Sequence, residues 1–316
     1  MRNNELLTGI SIVIPVYNSE ASLDELAARL ARTLPGINDF YEVILVNDGS
    51  QDSSWQHVDS LANRYTWVSG INLMRNYGQH NALLCGIRSA RFDTIITMDD
   101  DLQHRPEDIP ILLAALEDGY DVVYGAPTEQ QHGIWRNTAS WVTKLALQGA
   151  MGARTARQIS AFRAFRTRLR DAFSQYQNRY VSIDVLLTWG TDQFTAVEID
   201  HQPRQSGRTN YTFRKLVAHS LNMITGFSVL PLRLASIMGF TFAFFGLLLL
   251  IYVVGRYLIQ GGSVPGFPFL ASTIAIFSGV QLFALGIIGE YLARMHFRLM
   301  DRPAYIIRAR TSREEQ

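Results

Sequence analysis

One cysteine, Cys85, stands in 316 residues. No intramolecular disulfide can form, so the fold must rest on its own core, which fits a reducing compartment. Cys85 lies in the apolar stretch Ala82-Leu83-Leu84-Cys85-Gly86-Ile87 and reads as a buried core side chain rather than a nucleophile. An excess of either charge is lacking too. The 29 Lys and Arg against 28 Asp and Glu give a net charge of +1, which offers no basic stripe for nucleic acid. No apolar run precedes Gly9, so no secretory leader is expected and the catalytic part is expected to start in the cytoplasm. Internal repeats and low-complexity tracts are absent.

What the chain has in plenty is hydrophobic residues, 47%, and they are unevenly spread. Residues 1–225 read as an ordinary α/β protein. Residues 10–15 (ISIVIP), 41–46 (YEVILV), 68–73, 93–98 and 121–124 are short apolar runs rich in β-branched side chains, the mark of buried strands. Between them 22–34, 53–65, 80–90 and 106–117 carry apolar residues at helical spacing. That alternation predicts a parallel sheet covered on both faces, with ligands at the carboxyl ends of the strands. The polar turns Tyr17-Asn18, Asn47–Ser50, Arg75–Gln79 and Asp99–Gln103 all fall at that edge.

Two segments further on lack charge altogether, 234–255 and 267–289, each long enough for the roughly 20 residues of a spanning helix. Between them, Gly261-Gly262-Ser263-Val264-Pro265-Gly266 makes a turn. Arg214, Lys215 and Arg233 precede the pair and Arg294, Arg298, Arg302, Arg308 and Arg310 follow it, while only Arg256 sits near the turn. The positive-inside bias then places both flanks in the cytoplasm. The expected organisation is a catalytic domain over 1–211, an interfacial helix (or else an ordinary core-facing helix) over 212–230, two transmembrane helices within 231–292 (about 234–257 and 267–290) and a cytoplasmic tail over 293–316. Interfacial and membrane helices of this kind also leave room for a homo-oligomer.

The chemistry concentrates in Met98-Asp99-Asp100-Asp101-Leu102-Gln103. Side chains alternate along an extended chain, so Asp99 and Asp101 can share a side and offer hard oxygen donors to Mg²⁺ or Mn²⁺ carrying a diphosphate. Asp48-Gly49-Ser50 ends the second strand, where a carboxylate can accept from a base N–H or a ribose hydroxyl and the glycine admits close backbone approach. Together the two motifs point to nucleotide binding.

Val13-Ile14-Pro15-Val16-Tyr17-Asn18, Asn47-Asp48-Gly49-Ser50-Gln51-Asp52, Arg75-Asn76-Tyr77-Gly78-Gln79 and Asp99-Asp100-Asp101-Leu102-Gln103-His104-Arg105-Pro106-Glu107 follow one another in this order. The series resembles family 2 glycosyltransferases of the GT-A fold, in their polyprenyl-phosphate branch. Phe162-Arg163-Ala164-Phe165-Arg166, Arg204-Gln205-Ser206-Gly207-Arg208-Thr209-Asn210-Tyr211 and Pro231-Leu232-Arg233-Leu234 are similar to later motifs of that branch. The resemblance implies an α/β GT-A domain followed by a two-helix transmembrane hairpin. It implies an inverting transfer of a sugar from a nucleotide diphosphate, with uracil the default base, to a polyprenyl (undecaprenyl) phosphate at the cytoplasmic membrane. Pro15, Tyr17, Asn18 and Asp48 would line the nucleotide. Asp99 and Asp101 would fall on the family's D-x-D and hold the metal, with Asp101 the main ligand. Gln103 would sit by the sugar or acceptor phosphate, Arg204 and Arg208 would face the diphosphate, and Arg163, as a further catalytic residue, and Arg136 would be weaker carry-overs that could equally be surface ion pairs.

Departures from the family pattern accompany the match. Ser19 stands where Glu is common, Asn47 where Asp is usual, and Asp100 where the middle residue of D-x-D is small. Asn210 replaces an expected lysine, Ala126-Pro127-Thr128 lacks a common arginine, and Arg157-Gln158-Ile159 replaces an acidic turn. The acceptor phosphate is already anionic, so no strong general base is required. The Arg-Trp pair of processive synthases does not occur. A GT-A scaffold without turnover, and a transferase with a non-lipid acceptor, are the alternatives.

Overall fold

β-Branched runs become the central strands of one eight-stranded sheet. The computed structural model describes residues 7–127, 158–177, 181–200, 230–260, 266–300 and 302–311. In chain order the sheet strands are β1 (Leu7–Val16), β2 (Tyr41–Asn47), β3 (Val68–Leu73), β4 (Phe92–Thr97), β5 (Val122–Pro127), β6 (Arg163–Arg166), β7 (Phe194–Ile199) and β8 (Ile307–Arg310). Their spatial order is β7-β5-β6-β4-β1-β2-β3-β8. β1 lies between β2 and β4, parallel to both, with Ile12 opposite Val43 and Ile96. The sheet is mixed rather than wholly parallel as expected: β6 runs antiparallel to β4 and β5, and β8 antiparallel to β3.

Helices α1 (Leu23–Thr33), α2 (Ser54–Arg64), α3 (Gln79–Ser89) and α4 (Ile109–Glu117) follow the first four strands, close to the expected spans. Short α5 (Ile183–Leu187) precedes β7. Apolar stripes fasten the helices to the sheet: α1 buries Leu23, Leu26 and Leu30. α3 comes closest, because a Cβ on Gly86 would lie 2.3 Å from Val13 Cγ1. Cys85 on the same helix is fully buried, and burial pushes its thiol up to about 12, as a core side chain requires.

The chain divides into two units, Met1–Leu216 with Asp301–Gln316, and Val217–Met300. The second contains α6 (Leu230–Gln260) and α7 (Phe267–Leu299), two long apolar helices that pack on each other, with Phe242 edge-on to Phe277 at 5.9 Å. Leu232–Arg256 and Ile276–Ala293 within them are long and apolar enough to cross a membrane. The segment after this pair is more than a tail. β8 joins the edge of the sheet beside β3, Gly70 N donates to Thr311 Oγ1 at 2.9 Å, and Met74 N donates to Ile306 O at 2.9 Å. The expected interfacial helix at 212–230 lies almost wholly outside the described residues.

Candidate active site

The carboxyl ends of β1, β2, β3 and β4 carry loops that bond to one another. After β1, Pro15 is buried and Tyr17 is 45% exposed. Asn18 takes the left-handed conformation at φ 53°, which asparagine tolerates better than most residues. Its N–H donates to Ser50 Oγ at 3.0 Å and its Oδ1 accepts from Gln51 N at 2.8 Å, tying this loop to the one after β2.

Asp48 performs the same service toward the loop after β3. Its two carboxylate oxygens accept the N–H groups of Tyr77 (2.7 Å) and Gly78 (2.8 Å). Burial pushes the carboxyl up to about 6 in spite of those two bonds, which pull the other way. Next to it Gly49 turns at φ 67°, and a Cβ there would lie 2.5 Å from Arg75 C and Asn76 N, so only glycine allows the two loops to touch.

After β4, the three carboxylates have three different surroundings. Asp99 Oδ1 accepts from Gln79 Nε2 at 2.6 Å, at the start of α3. Asp100 Oδ2 accepts Tyr17 N at 3.3 Å. Burial raises its carboxyl to about 6, against the pull of the Ser19 hydroxyl and the Tyr17 N–H and with a push from Asp101. Asp101 Oδ1 accepts Gln103 N at 3.2 Å, closing a tight turn. Leu102, inside that turn, sits at φ 62° although it is not glycine, and its side chain is 4% exposed. Such a conformation costs about 1–3 kcal/mol and persists only where packing enforces it; here the buried leucine anchors the loop that carries Asp101 and Gln103.

Asp99, Asp101 and Gln103 are all half-buried at this edge. Among the described residues no group of three His, Cys, Asp or Glu gathers as a metal cluster. Two carboxylates on one short loop fit a hard cation of the kind that keeps water and substrate phosphate oxygens as its remaining ligands.

Arg163 departs from its expected place. It is 2% exposed, neither at the surface nor open to a substrate. Its Nη1 donates to Asp184 Oδ1, its Nε donates to Thr97 Oγ1 at 3.1 Å, and Tyr124 OH donates to the same Asp184 oxygen at 3.0 Å. A buried guanidinium demands a carboxylate, and Asp184 on α5 supplies it. Arg136, Arg204 and Arg208, with Asn210, lie outside the described residues.

A sheet with this strand order and a carboxylate loop after β4 has counterparts. The sequence matches the model of "Glycosyl transferase family 2" over residues 11–177. This chain belongs to glycosyl transferase family 2. Curated relatives extend the match through the hairpin. The undecaprenyl-phosphate 4-deoxy-4-formamido-L-arabinose transferase of Proteus mirabilis is 36% identical over 310 residues, covering 97% of this chain and 95% of the relative. Its namesake from Aeromonas hydrophila is 35% identical, covering 99% and 98%. Among solved structures, glucosyl-3-phosphoglycerate synthase from Mycobacterium tuberculosis superposes with a TM-score of 0.51 at 19% identity, over 69% of this chain and 78% of that one. At that identity the likeness concerns the GT-A fold alone.

Within this family 2 glycosyltransferase, two departures explain each other. Asp100 carries a carboxylate where a small residue is usual, and the Ser19 hydroxyl stands within hydrogen-bonding reach of it. A glutamate at 19 would have faced Asp100 with like charge. Asn47, for its part, is 2% exposed, donates from its amide to Asn72 Oδ1 at 2.9 Å and accepts from Ser50 N at 3.4 Å, both roles that one neutral side chain can fill. Gln79, Asn72 and Asp184 went unnoticed in the sequence as individual residues. Gln79 alone left a signal there, as the last residue of the polar turn that opens α3.

Proposed function

We propose that the protein is a membrane-bound inverting glycosyltransferase that moves a sugar from a nucleotide diphosphate, UDP by preference, to undecaprenyl phosphate. One observation carries the reading: relatives named for that acceptor match 97% of the chain, hairpin and tail included, with Asp99, Asp101 and Gln103 present at the carboxyl end of β4.

Tyr17 and Asn18 border the nucleotide, and Asp48 shapes its seat by holding the loop at Tyr77 and Gly78. Asp99 and Asp101 hold Mg²⁺ or Mn²⁺; the latter accompanies UDP in a complex of the M. tuberculosis synthase. When bound, that cation neutralises charge building on the departing diphosphate. Gln103 stands beside the sugar or the attacking phosphate, and Arg204 and Arg208 add positive charge at the diphosphate. The acceptor phosphate needs no proton removed, so attack from the face opposite the leaving group inverts the anomeric carbon without a general base. The arrangement works by holding two anions in line.

The hairpin brings the acceptor. Because the sheet is completed by β8, which follows α7, the chain leaves the catalytic unit and returns to it. Two crossings of the cytoplasmic membrane, with the catalytic unit and both flanks inside, satisfy that return and the arginine bias alike.

The test is transfer of labelled sugar from a panel of nucleotide sugars to undecaprenyl phosphate by purified protein with Mg²⁺ or Mn²⁺. Nucleotide-linked 4-deoxy-4-formamido-L-arabinose heads the panel because the relatives bear that name. An organic-soluble product abolished by EDTA is expected. Folded protein giving no product with any donor refutes the reading in favour of a scaffold, and transfer to a soluble acceptor without the polyprenol refutes the lipid half.

A further inference from the structure

The two long helices use one face of α7 and leave the next one open. Among the described side chains of α7, those partly covered are Thr273, Phe277, Val280, Ala284, Ile287 and Tyr291, and Phe277 meets Phe242 of α6. They recur in alternating steps of four and three residues, the spacing of a coiled-coil seam. One residue further on, Ile274, Ser278, Gln281, Leu285, Ile288 and Leu292 repeat that spacing, and all six are exposed. A step of one residue turns an α-helix by about 100°, so this second seam runs beside the first, and nothing among the described residues covers it.

Gln281 singles this face out. It lies within Ile276–Ala293, the stretch of α7 long and apolar enough to cross a membrane, and near the middle of the charge-free segment 267–289. Its side chain is exposed, and its amide makes no hydrogen bond among the described residues. Ser236 and Thr241 on α6 return their hydroxyls to carbonyls of their own helix; Gln281 does not. In hydrocarbon an unpaired amide is expensive, and neither acyl chains nor a polyprenol tail carry hydrogen-bonding groups along their length. A partner on this face must bring a donor and an acceptor at this depth. A second copy of the chain brings both, because the glutamine amide has an acceptor oxygen and an N–H₂ donor and can pair reciprocally with its counterpart. Two copies insert with the same topology, so their α7 helices run parallel. A two-fold axis along the membrane normal then sets each seam residue opposite its own counterpart.

We infer that α7 pairs with α7 of a second copy of this chain along the Ile274–Leu292 seam, with the two Gln281 amides bonded to each other inside the membrane. The apolar members of the seam supply packing, and small Ser278 lets the backbones approach. Gln281 fixes the register, as a single polar residue does in a coiled coil. The inference rests on the membrane-spanning reading above and goes beyond it.

The one native cysteine, Cys85, is buried, so a cysteine introduced into α7 reports alone. The experiment treats membranes carrying the full chain with a mild oxidant and reads disulfide-linked dimer on a non-reducing gel. It compares Leu285→Cys and Ile288→Cys on the seam with Leu282→Cys and Phe283→Cys, which are exposed as well but lie off it. The seam variants should cross-link several times more than the other two. In detergent micelles Gln281→Leu should raise the dimer dissociation constant about tenfold, and Gln281→Asn, still a donor and an acceptor, should recover most of the affinity. Gln281→Leu makes the span more apolar, so its loss of dimer does not come from failed insertion. Equal cross-linking at all four positions, or an unchanged dissociation constant in Gln281→Leu, overturns the inference. So does a cross-linked product of another mass, which gives the face to a different membrane protein. Wild type released by alkaline extraction refutes the membrane reading and this inference with it; wild type retained in the membrane without any dimer refutes this inference alone.

Discussion

Ile12, Ile14 and Ile96 in the central strands are fully buried, while Phe240, Ile259 and Leu282 on the two long helices are 79%, 84% and 69% exposed. The side chains are of one kind; their surroundings are not. In the sheet unit the hydrophobic effect works against water, and the central strands are covered by helices and neighbouring strands. Apolar exposure continued along two helices is far beyond what a protein in water usually carries, as the proposed membrane hairpin would require. The same contrast separates the polar groups. Loops at the carboxyl ends of β1 to β4 cross-bond through Asn18, Asp48, Asp99 and Asp100, whereas in the first half of α6 Ser236 and Thr241 bond back to their own helix, to Leu232 O and Ile237 O.

The largest expected effect confines itself to the first unit. Asp101→Asn should lower sugar transfer roughly a thousandfold, the several kcal/mol that a correctly held cation supplies to the transition state. Thermal unfolding and membrane retention should stay as in wild type. Wild-type levels of lipid-linked product from this variant would refute the role given to Asp101.

Next comes a substitution in the floor beneath the site. Arg163→Met leaves Asp184 buried without its cation, which typically costs 3–5 kcal/mol, so the unfolding midpoint of the sheet unit should fall sharply. The double change Arg163→Met with Asp184→Leu should recover much of that loss, because it removes the orphan charge as well. If Arg163→Met kept full stability and lost only turnover, the arginine would return to the active site proper.

That arginine also shows where sequence reading stops. The strands at 10–15, 41–46 and 68–73 were legible because β-branched runs have one stable use in a doubly covered sheet, and Asp99-Asp100-Asp101 because a carboxylate run at a strand end is hard to explain otherwise. Arg163 lay in an equally clear motif, yet its partner Asp184 is 21 residues away on a five-residue helix, and nothing in the spacing announces the pair. The antiparallel β8 was hidden for a related reason. Only four residues long, with arginines at 308 and 310, it reads as a charged flank of the membrane pair, and only the open edge of β3 makes it a strand. Local pattern reveals elements, and long-range pairing decides their use.

A charge placed in the apolar helices sharpens the other side of the comparison. Leu247 lies inside the first apolar stretch and is 53% exposed. Leu247→Arg should cost about 2.5–3.5 kcal/mol of insertion if that surface meets hydrocarbon, seen as a smaller fraction of protein resisting alkaline extraction from membranes. A soluble helix would accept an exposed arginine there at almost no cost, and unchanged extraction would end the membrane reading of α6.

The smallest effect expected is at Asp48, where the two kinds of burial meet in a single side chain. Its carboxyl is raised to about 6 from an ordinary 3.8 by burial, although two backbone N–H groups favour the charged form. Between those values the folded protein holds a proton that the unfolded chain has released. Asp48 therefore contributes its full share to stability below about pH 3.8, and that contribution declines as pH rises to about 6 and is level above, by up to about 2–3 kcal/mol in all. Asp48→Asn removes the titration, so the gap between wild type and variant should shift across that window and stay flat above pH 7. At neutral pH the asparagine also turns an amide N–H₂ toward Tyr77 N or Gly78 N, and losing one charge-assisted bond should weaken nucleotide affinity about ten- to a hundredfold. A pH-independent stability gap would mean that the two N–H bonds outweigh burial and that the carboxyl is ionised throughout; the affinity loss at pH 7 would remain, because it depends on the acceptor pair and not on the proton.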